Sequence, residues 1–537
     1  MMLALLLLGA VLLLLWDRYF RQYPYIPGPK GIPIFGNLFQ LRFTHFSRDL
    51  EGWAWKYGTV FRLNMLHKPF LVISDIQMCH EILKARPDGF SRGLGLAKVA
   101  EGLGFNGLFS QEGEEWRHSR YWIATAFSPT KVRDFKKCVW HHSKTLQEKL
   151  QEIAEKQAKI LASKHTDTEC AANTKFPIRN GYDGNDLTDH ILQEIQSTVL
   201  SIVCDVAFSW GEENFLSRDT LSRSKIYLSR IFERAFALLP TWKVYKCEKD
   251  RIAESMKAEF NCRIQALIDS AAQSKGKQDS RTLLDVLVRS TLETDGEASD
   301  PSEKRRRMHR LTNDQLKANL LTVVMAGYET TATVMSWVLF ELARTPTYQE
   351  RIRAEVKQVL GDVNRLDIGS DLNVDKALNS PEAYLPFTNA FIQESLRIHS
   401  VAPTIELTAL RDHDIRGVRI AKGTEVVLLS RAATLRSWPT ADPFKFNPEQ
   451  WLGENGESES QIKLMSQVGL SFGYGPRVCP GRHLAETELV VLISLITTNF
   501  KLSLIDTPPA EEPVMEKVIF TAYPANVHIR IEPYRAN

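Results

Sequence analysis

The stretch from Thr312 to Pro346 most constrains what this chain can fold into. Thr312, followed three residues on by Gln315, makes a pattern in which each side chain satisfies a backbone N–H of the other at a helix start. Pro346 lacks an N–H and marks the far end. About 33 residues lie between, roughly 50 Å of helix at 1.5 Å per residue. Apolar positions run almost all round it, so it predicts a helix enclosed on every side. Enclosing it takes a large domain. The 537 residues hold no long linker and no repeat of roughly 20–50 residues, which argues against a solenoid or propeller and for one large catalytic unit.

Short strands are expected at Val60–Asn64 and Pro69–Ser74, and a helix at Ile76–Lys84. Residues 91–110 are glycine-rich and read as a loop. From Glu112 to about residue 290 the pattern is largely helical. It is broken by a polar surface insertion at 163–187. A solvated loop at 291–310 follows, carrying Lys304-Arg305-Arg306-Arg307. Further helices are expected at Pro346–Leu360, Pro386–Arg397 and from Pro480–Gly481 to Asn499. Residues 405–430 look like strand pairs around the turn Lys422-Gly423-Thr424, and Lys517–Ile531 alternates like a hairpin. The fold class is mainly α with small β-sheets.

Met1–Trp16 carries no charged side chain. As a helix it would span roughly 24 Å, a little short of a hydrocarbon core of roughly 30 Å. Its basic residues, Arg18 and Arg21, follow the apolar run, and no small-residue cleavage site does. An uncleaved anchor over 1–20 with the rest of the chain in the cytosol is therefore expected. Pro24, Pro27, Pro29 and Pro33 then make 21–40 a stiff hinge, and 41–537 forms the catalytic domain. A net charge of +3 gives no reason to expect nucleic acid. The seven cysteines are scattered, odd in number and form no C-x-x-C pair, against a disulfide framework or structural zinc. Six of them read as small buried hydrophobes.

Cys479 is different because of Phe472-Gly473-Tyr474-Gly475-Pro476-Arg477-Val478-Cys479-Pro480-Gly481. The glycines permit close approach of backbone to a flat ligand. The cysteine precedes a helix start, whose unpaired N–H groups favour a thiolate. Arg477 can meet an anionic group, and Phe472 can keep water off the sulfur. Every fixed position of F-x-x-G-x-R-x-C-x-G is matched, and the segment resembles the haem-binding loop of the cytochrome P450 family. The resemblance implies that family's fold, haem b (iron protoporphyrin IX) as cofactor and Cys479 as iron ligand, with Phe472, Arg477 and Gly481 around the group. A thiolate on iron favours O–O cleavage.

Three further constellations occur in the family's order. Ala326-Gly327-Tyr328-Glu329-Thr330-Thr331 resembles its oxygen-activation motif. There Ala326 and Gly327 let the helix approach the haem, Thr330 hydrogen-bonds a bound peroxo group, and Glu329 feeds protons through water. The plainer alternative has the two threonines bonding carbonyls one turn back. Glu394 and Arg397 form E-x-x-R, an i, i+3 pair that the family uses structurally. Trp116 and Arg120, W-x-x-x-R, can donate together to a haem propionate. Two departures stand out. Gln450 occupies the place of an arginine, so the Glu394–Arg397 network must close otherwise, with Arg431 or Arg436 as candidates. Leu407 stands where an extra propionate-binding arginine is often found.

The expected activity is a monooxygenase acting on a lipid, terpenoid, steroid or xenobiotic at the endoplasmic reticulum membrane. No flavin or nicotinamide domain fits in this length. NADPH-cytochrome P450 reductase is thus the expected partner, with cytochrome b5 as a further candidate. Lys131, Arg133, Lys136 and Lys137 are candidate docking residues, though a solvated helix face accounts for them as well. A haem-thiolate isomerase or lyase acting on hydroperoxides is the second reading, and a haem sensor or electron carrier the third. Glu329 and Thr330 favour the first. The expected substrate walls are Arg92–Leu108, Leu320–Thr331, Val401–Glu406 and Val518–Tyr523, mostly apolar, with Glu406 and Tyr328 as possible polar contacts.

Overall fold

Two patterns of apolar side chains, one helical and one alternating, decide where this chain packs. The computed structural model describes residues 9, 11, 23, 25–32, 35–66, 68–93, 102–166, 187–208, 218–235, 241–273, 282–292, 310–366, 372–453, 459–505, 515–518, 520–525 and 527–535. The expected anchor, apart from residues 9 and 11, lies outside the described residues. So do most of the polar insertion, the run Lys304–Arg307 and residues 94–101 of the expected pocket loop.

The first half holds α1 (Phe46–Tyr57), β1 (Val60–Met65), β2 (Lys68–Ile73), α2 (Ile76–Lys84), β3 (Phe90–Arg92), α3 (Gly113–Ala126), α4 (Pro129–Thr166), α5 (Leu187–Phe208) and α6 (Arg218–Ala235). The second half holds α7 (Asn313–Arg344), α8 (Pro346–Leu360), α9 (Pro386–Ile398), β4 (Thr404–Ala409), β5 (His413–Ile415), β6 (Val418–Ile420), β7 (Glu425–Leu429), α10 (Ser430–Arg436), α11 (Arg482–Asn499), β8 (Phe500–Leu504), β9 (Glu516–Val518), β10 (Ala522–Pro524) and β11 (Ile529–Pro533). Helices dominate and the sheets are small, as the patterns require.

α7 begins with both bonds of the capping box: Gln315 N–H donates to Thr312 Oγ1 (3.2 Å) and Thr312 N–H to Gln315 Oε1 (3.0 Å). Every residue from Thr331 to Ala343 is buried, so its all-round apolar surface is matched by neighbours on every side. Two described helices, His190–Phe208 and Asn313–Arg344, are long and apolar enough to cross a membrane. Each is about two-thirds or more buried within the protein, the environment of a core helix.

The main sheet has the order β1-β2-β7-β4-β3. Alternation sends Leu71, Ile73, Val426 and Leu428 into one apolar cluster and Val72, Val427 and Leu429 into another. β7 is therefore buried on both faces. The expected pairing across Lys422-Gly423-Thr424 needs correction. β7 pairs with β4 antiparallel and with β2 in parallel, while β5 and β6 make their own hairpin. Residues 404–429 do pair as strands, but a strand covered on both faces takes a second partner by burial, and β2 lies in the first half of the chain. The C-terminal alternation likewise splits: β9 pairs with β10, but β11 pairs with β8.

The proline segment does not stand away from the globule. Tyr23 is buried, and its hydroxyl meets Thr424 Oγ1 at 2.6 Å. Pro27 O accepts Arg62 N–H at 2.8 Å. Gly36, at φ +59°, passes so close to β1 that a Cβ would lie 2.2 Å from the Asn64 carbonyl oxygen.

Candidate active site

The cysteine loop folds back on itself. Cys479 N–H donates to Phe472 O (2.9 Å) and Val478 N–H to Gly475 O (3.1 Å). The loop is pressed onto α2, with Tyr474 stacked on His80 at 4.1 Å between ring centroids. Ser471 Oγ donates to Leu396 O (3.0 Å), tying it to α9 as well. Phe472 is partly buried against the helical core, with the Arg482 guanidinium 5.4 Å from its ring. The sulfur of Cys479 is crowded by protein, yet the residue keeps an accessible side. Crowding pushes its thiol up from the ordinary value. The Gly481 N–H and the Arg120 charge pull it down, so both act in favour of a thiolate.

Beside this sulfur the structure concentrates positive charge. Arg477 lies over the Trp116 ring at 4.4 Å and donates to Gln111 O (2.8 Å) and to Glu112. Arg86 donates to the same carboxylate (3.0 Å), which also accepts the Arg92 N–H (2.7 Å). Burial pushes Arg477 down to about 9, and Arg86, Arg92 and Arg120 add to the repulsion that Glu112 only partly offsets. Arg92 is pushed down to about 10 by burial and then by Arg86. Arg86 Nε, Arg477 Nε and both polar side-chain atoms of Gln111 are buried with no hydrogen-bond partner. Four guanidiniums, orphaned donors and a thiol thus converge on one place. That donor set fits a flat group bearing carboxylates and a metal that takes a thiolate, as haem does.

Arg86, Gln111 and Glu112 escape the sequence reading, and Arg92 enters it only as the start of a substrate wall. Leu407 is buried in the sheet, and Arg92 pairs with it in register from β3. The charge sought at 407 therefore arrives from the neighbouring strand. Its only sequence signal is a charged residue ending a short strand before the W-x-x-x-R helix.

On α7, the Thr330 hydroxyl donates to Ala326 O one turn back (2.8 Å). Glu329 Oε1 accepts from Thr521 Oγ1 (3.2 Å), and Thr521 Oγ1 meets Thr333 Oγ1 (3.0 Å). Glu329 Oε2 is buried without a partner, and burial raises this carboxyl above its usual range. The close approach expected of Gly327 is made to protein: a Cβ there would lie 2.9 Å from Val203 Cγ2 on α5. Tyr328 is buried with its hydroxyl on Ser224 (2.7 Å), which takes it out of the pocket-facing role expected of it.

The four expected pocket walls meet as far as they are described. Phe105, Phe109 and Phe520 form an aromatic group with centroids 5.8–6.3 Å apart. Leu108 N–H donates to Asn319 Oδ1 of α7 (2.7 Å), and Ala522 N–H to Val401 O (2.9 Å). Glu406 accepts from Thr404 (2.7 Å).

Glu394, wholly buried, takes two bonds from Arg397 (2.7 Å each). Neither Arg431 nor Arg436 closes this network: Arg431 pairs with Glu51 and Glu516, and Arg436 lies over Trp55. Gln450 Nε2 (2.9 Å), Trp451 Nε1 (3.0 Å) and Asn447 N–H (2.7 Å) close it instead. Gln450 Oε1 accepts from Trp438 Nε1 (2.9 Å), which a guanidinium, having no acceptor, could not do. On the loop's other side, a groove of about 830 Å³ is lined by Arg133, Lys136, Lys463, Phe472 and Arg482 among others.

Comparison with known proteins agrees with this geometry. The family model described as Cytochrome P450 matches residues 26–529. Cytochrome P450 2B4 of Oryctolagus cuniculus is 26% identical over 510 residues, covering 94% of this chain and 93% of the relative. Cytochrome P450 monooxygenase COX2 of Coprinopsis cinerea is 25% identical over 531 residues, covering 96% and 89%. Cytochrome P450 2E1 of Mus musculus is 26% identical over 512 residues, covering 94% and 93%.

Proposed function

The chain belongs to the cytochrome P450 family of monooxygenases, and from that premise we propose that it inserts one oxygen atom from O2 into a hydrophobic small molecule, using haem b held by Cys479. The carrying observation is the convergence of Arg86, Arg92, Arg120 and Arg477, with orphaned donors among them, beside Cys479 at the start of α11. When bound there, the haem would supply oxygen activation, with the thiolate pushing electron density into the iron.

The residues of the chain do the rest. Cys479 is held by the Phe472 carbonyl and the Gly481 N–H in one orientation. Arg477, Trp116 and Arg120 supply donors for the propionates, and Arg92 takes the place of the arginine missing at Leu407. Glu329 is the carboxyl placed to hold and pass a proton, with burial raising it above its usual range. Thr330, whose hydroxyl donates to Ala326 O, would supply a second group able to hold or pass a proton beside Glu329. This acid and alcohol favour a monooxygenase over a hydroperoxide isomerase, which needs no proton delivery. Phe105, Phe109 and Phe520 make the apolar wall that a lipid, terpenoid, steroid or xenobiotic requires.

Electrons would come from NADPH-cytochrome P450 reductase, with cytochrome b5 as a further donor, docking at the basic groove around Arg133, Lys136, Lys463 and Arg482. Residues 1–20, with their apolar run Met1–Trp16, would anchor the chain in the endoplasmic reticulum membrane. The test is spectral first. The reduced, CO-bound protein should show the thiolate-specific Soret band, and Cys479→Ser should lose it while retaining some haem. A haem-loaded wild type without that band would sink the ligand assignment. NADPH consumption with a reductase and a panel of lipids and terpenoids then separates monooxygenase from isomerase, since the isomerase turns over without either O2 or NADPH.

A further inference from the structure

Away from the cysteine loop, one buried group of polar side chains is left without a task. Cys138 and His142 lie four residues apart on α4 and so share a face. Asp205 comes from α5, which packs along α4. The His142 Nε2 is 2.7 Å from Asp205 Oδ2, and the Cys138 Sγ is 3.8 Å from that same oxygen. Among the described residues this is the one group whose potential ligand atoms all lie within 4.8 Å of one another. His142 is 2% exposed in its side chain, and Asp205 is 23% exposed.

A histidine–aspartate pair accounts for the first of these contacts and leaves three observations over. Asp205 Oδ1 is buried and has no hydrogen-bond partner. The Cys138 thiol, packed at the edge of the apolar core, donates to the same carboxylate. Glu488 of α11, 1% exposed, leaves its Oε1 without a partner and lies near enough to act on Cys138, while burial pushes its carboxyl up to about 8. A thiol, an imidazole and a carboxylate with one unused oxygen thus share one spot between α4 and α5.

We infer that Cys138, His142 and Asp205 form a zinc site stapling α4 to α5. Thiolate, imidazole and carboxylate together are the donor mixture that zinc takes, at roughly 2.3 Å from sulfur and about 2.0–2.2 Å from nitrogen and oxygen. Tetrahedral donors at those lengths sit roughly 3–4 Å apart, so Cys138 and Asp205 are already spaced for it. The His142–Asp205 pair has to open by about half an ångström, or Asp205 has to turn its unused Oδ1 inward. The ion's two charges balance the thiolate and the carboxylate. The partly exposed Asp205 gives a way in, and a water completes four-coordination.

The test uses the haem-loaded full chain, so that Cys479 is already engaged. After incubation with zinc sulfate and removal of loose metal by a mild chelator, elemental analysis should find one zinc beside each iron. Cys138→Ser and Asp205→Asn should each lose it, with the haem content unchanged, and Cys262→Ser should keep it. X-ray absorption at the zinc edge of the wild type should show one sulfur neighbour, a readout that needs no variant to fold. Removing the zinc should lower the melting temperature of the wild type and not that of Cys138→Ser. A wild type with no stoichiometric zinc, zinc without a sulfur neighbour, or zinc retained in Cys138→Ser would each overturn the site.

Discussion

Gln450 shows how far a single residue can be read from its type. An amide donates and accepts, and here it does both, to Glu394 and from Trp438. Its departure from the family pattern was legible in the sequence; the partner that explains it was not, because Trp438 lies twelve residues away across a fold. Restoring the usual charge should therefore harm this chain. Gln450→Arg leaves Trp438 Nε1 buried without an acceptor, which costs about 1–3 kcal/mol. Gln450→Arg with Trp438→Phe should recover most of it. Thermal unfolding of the three proteins decides the matter: a Gln450→Arg protein as stable as wild type contradicts the role. At the other centre, Glu329→Gln and Thr330→Ala should keep the reduced-CO spectrum and lower product formation by on the order of 10²-fold, if they serve proton delivery. Unchanged product per NADPH in both would assign them to helix structure, the alternative already visible in the Thr330–Ala326 bond.

Elements were more legible than contacts. The cap at Thr312, the break at Pro346 and the strands at 60–73 follow from local chemistry, and the structure has all of them. What failed was distant pairing, as of β7 with β2, a partner chosen by burial that no local window contains. Gly327 belongs to this scale too. The motif marked it as a close approach, and the partner proves to be Val203 on α5. A glycine inside a helix normally costs up to about 1 kcal/mol relative to alanine. Gly327→Ala should nevertheless destabilise, since overpacking costs about 1–3 kcal/mol. Val203→Ala in the same chain should relieve it, giving a coupling of at least about 0.5 kcal/mol in a double-mutant cycle of denaturant unfolding. Additive effects would show that α5 and α7 do not touch there as described.

At the scale of the molecule, Arg431 links α1, α10 and β9. It is fully buried between Glu51 and Glu516. Burial would push Glu516 up, but Arg431 overrides it and holds the carboxyl down to about 2. A carboxyl depressed in the fold stabilises it fully above its ordinary value near ~4.3, and that contribution fades as pH falls toward ~2. It is worth on the order of 2–3 kcal/mol. Arg431→Met strands two buried carboxylates and should cost about 3–5 kcal/mol near neutral pH. Its loss should also move the acid-unfolding midpoint upward. A variant that unfolds in acid at the wild-type pH would refute the linkage.

The docking of Tyr23 on Thr424 has an effect on how the chain comes into being. The two residues are 401 positions apart. At a synthesis rate of about 5–20 residues per second, the N-terminal segment waits roughly 20–80 s for its partner to leave the ribosome. β2 waits almost as long for β7, with Leu71, Val72 and Ile73 exposed meanwhile. The nascent chain therefore spends its first minute with a sticky, unfinished edge, and whatever shelters that edge during translation governs how much enzyme a cell obtains.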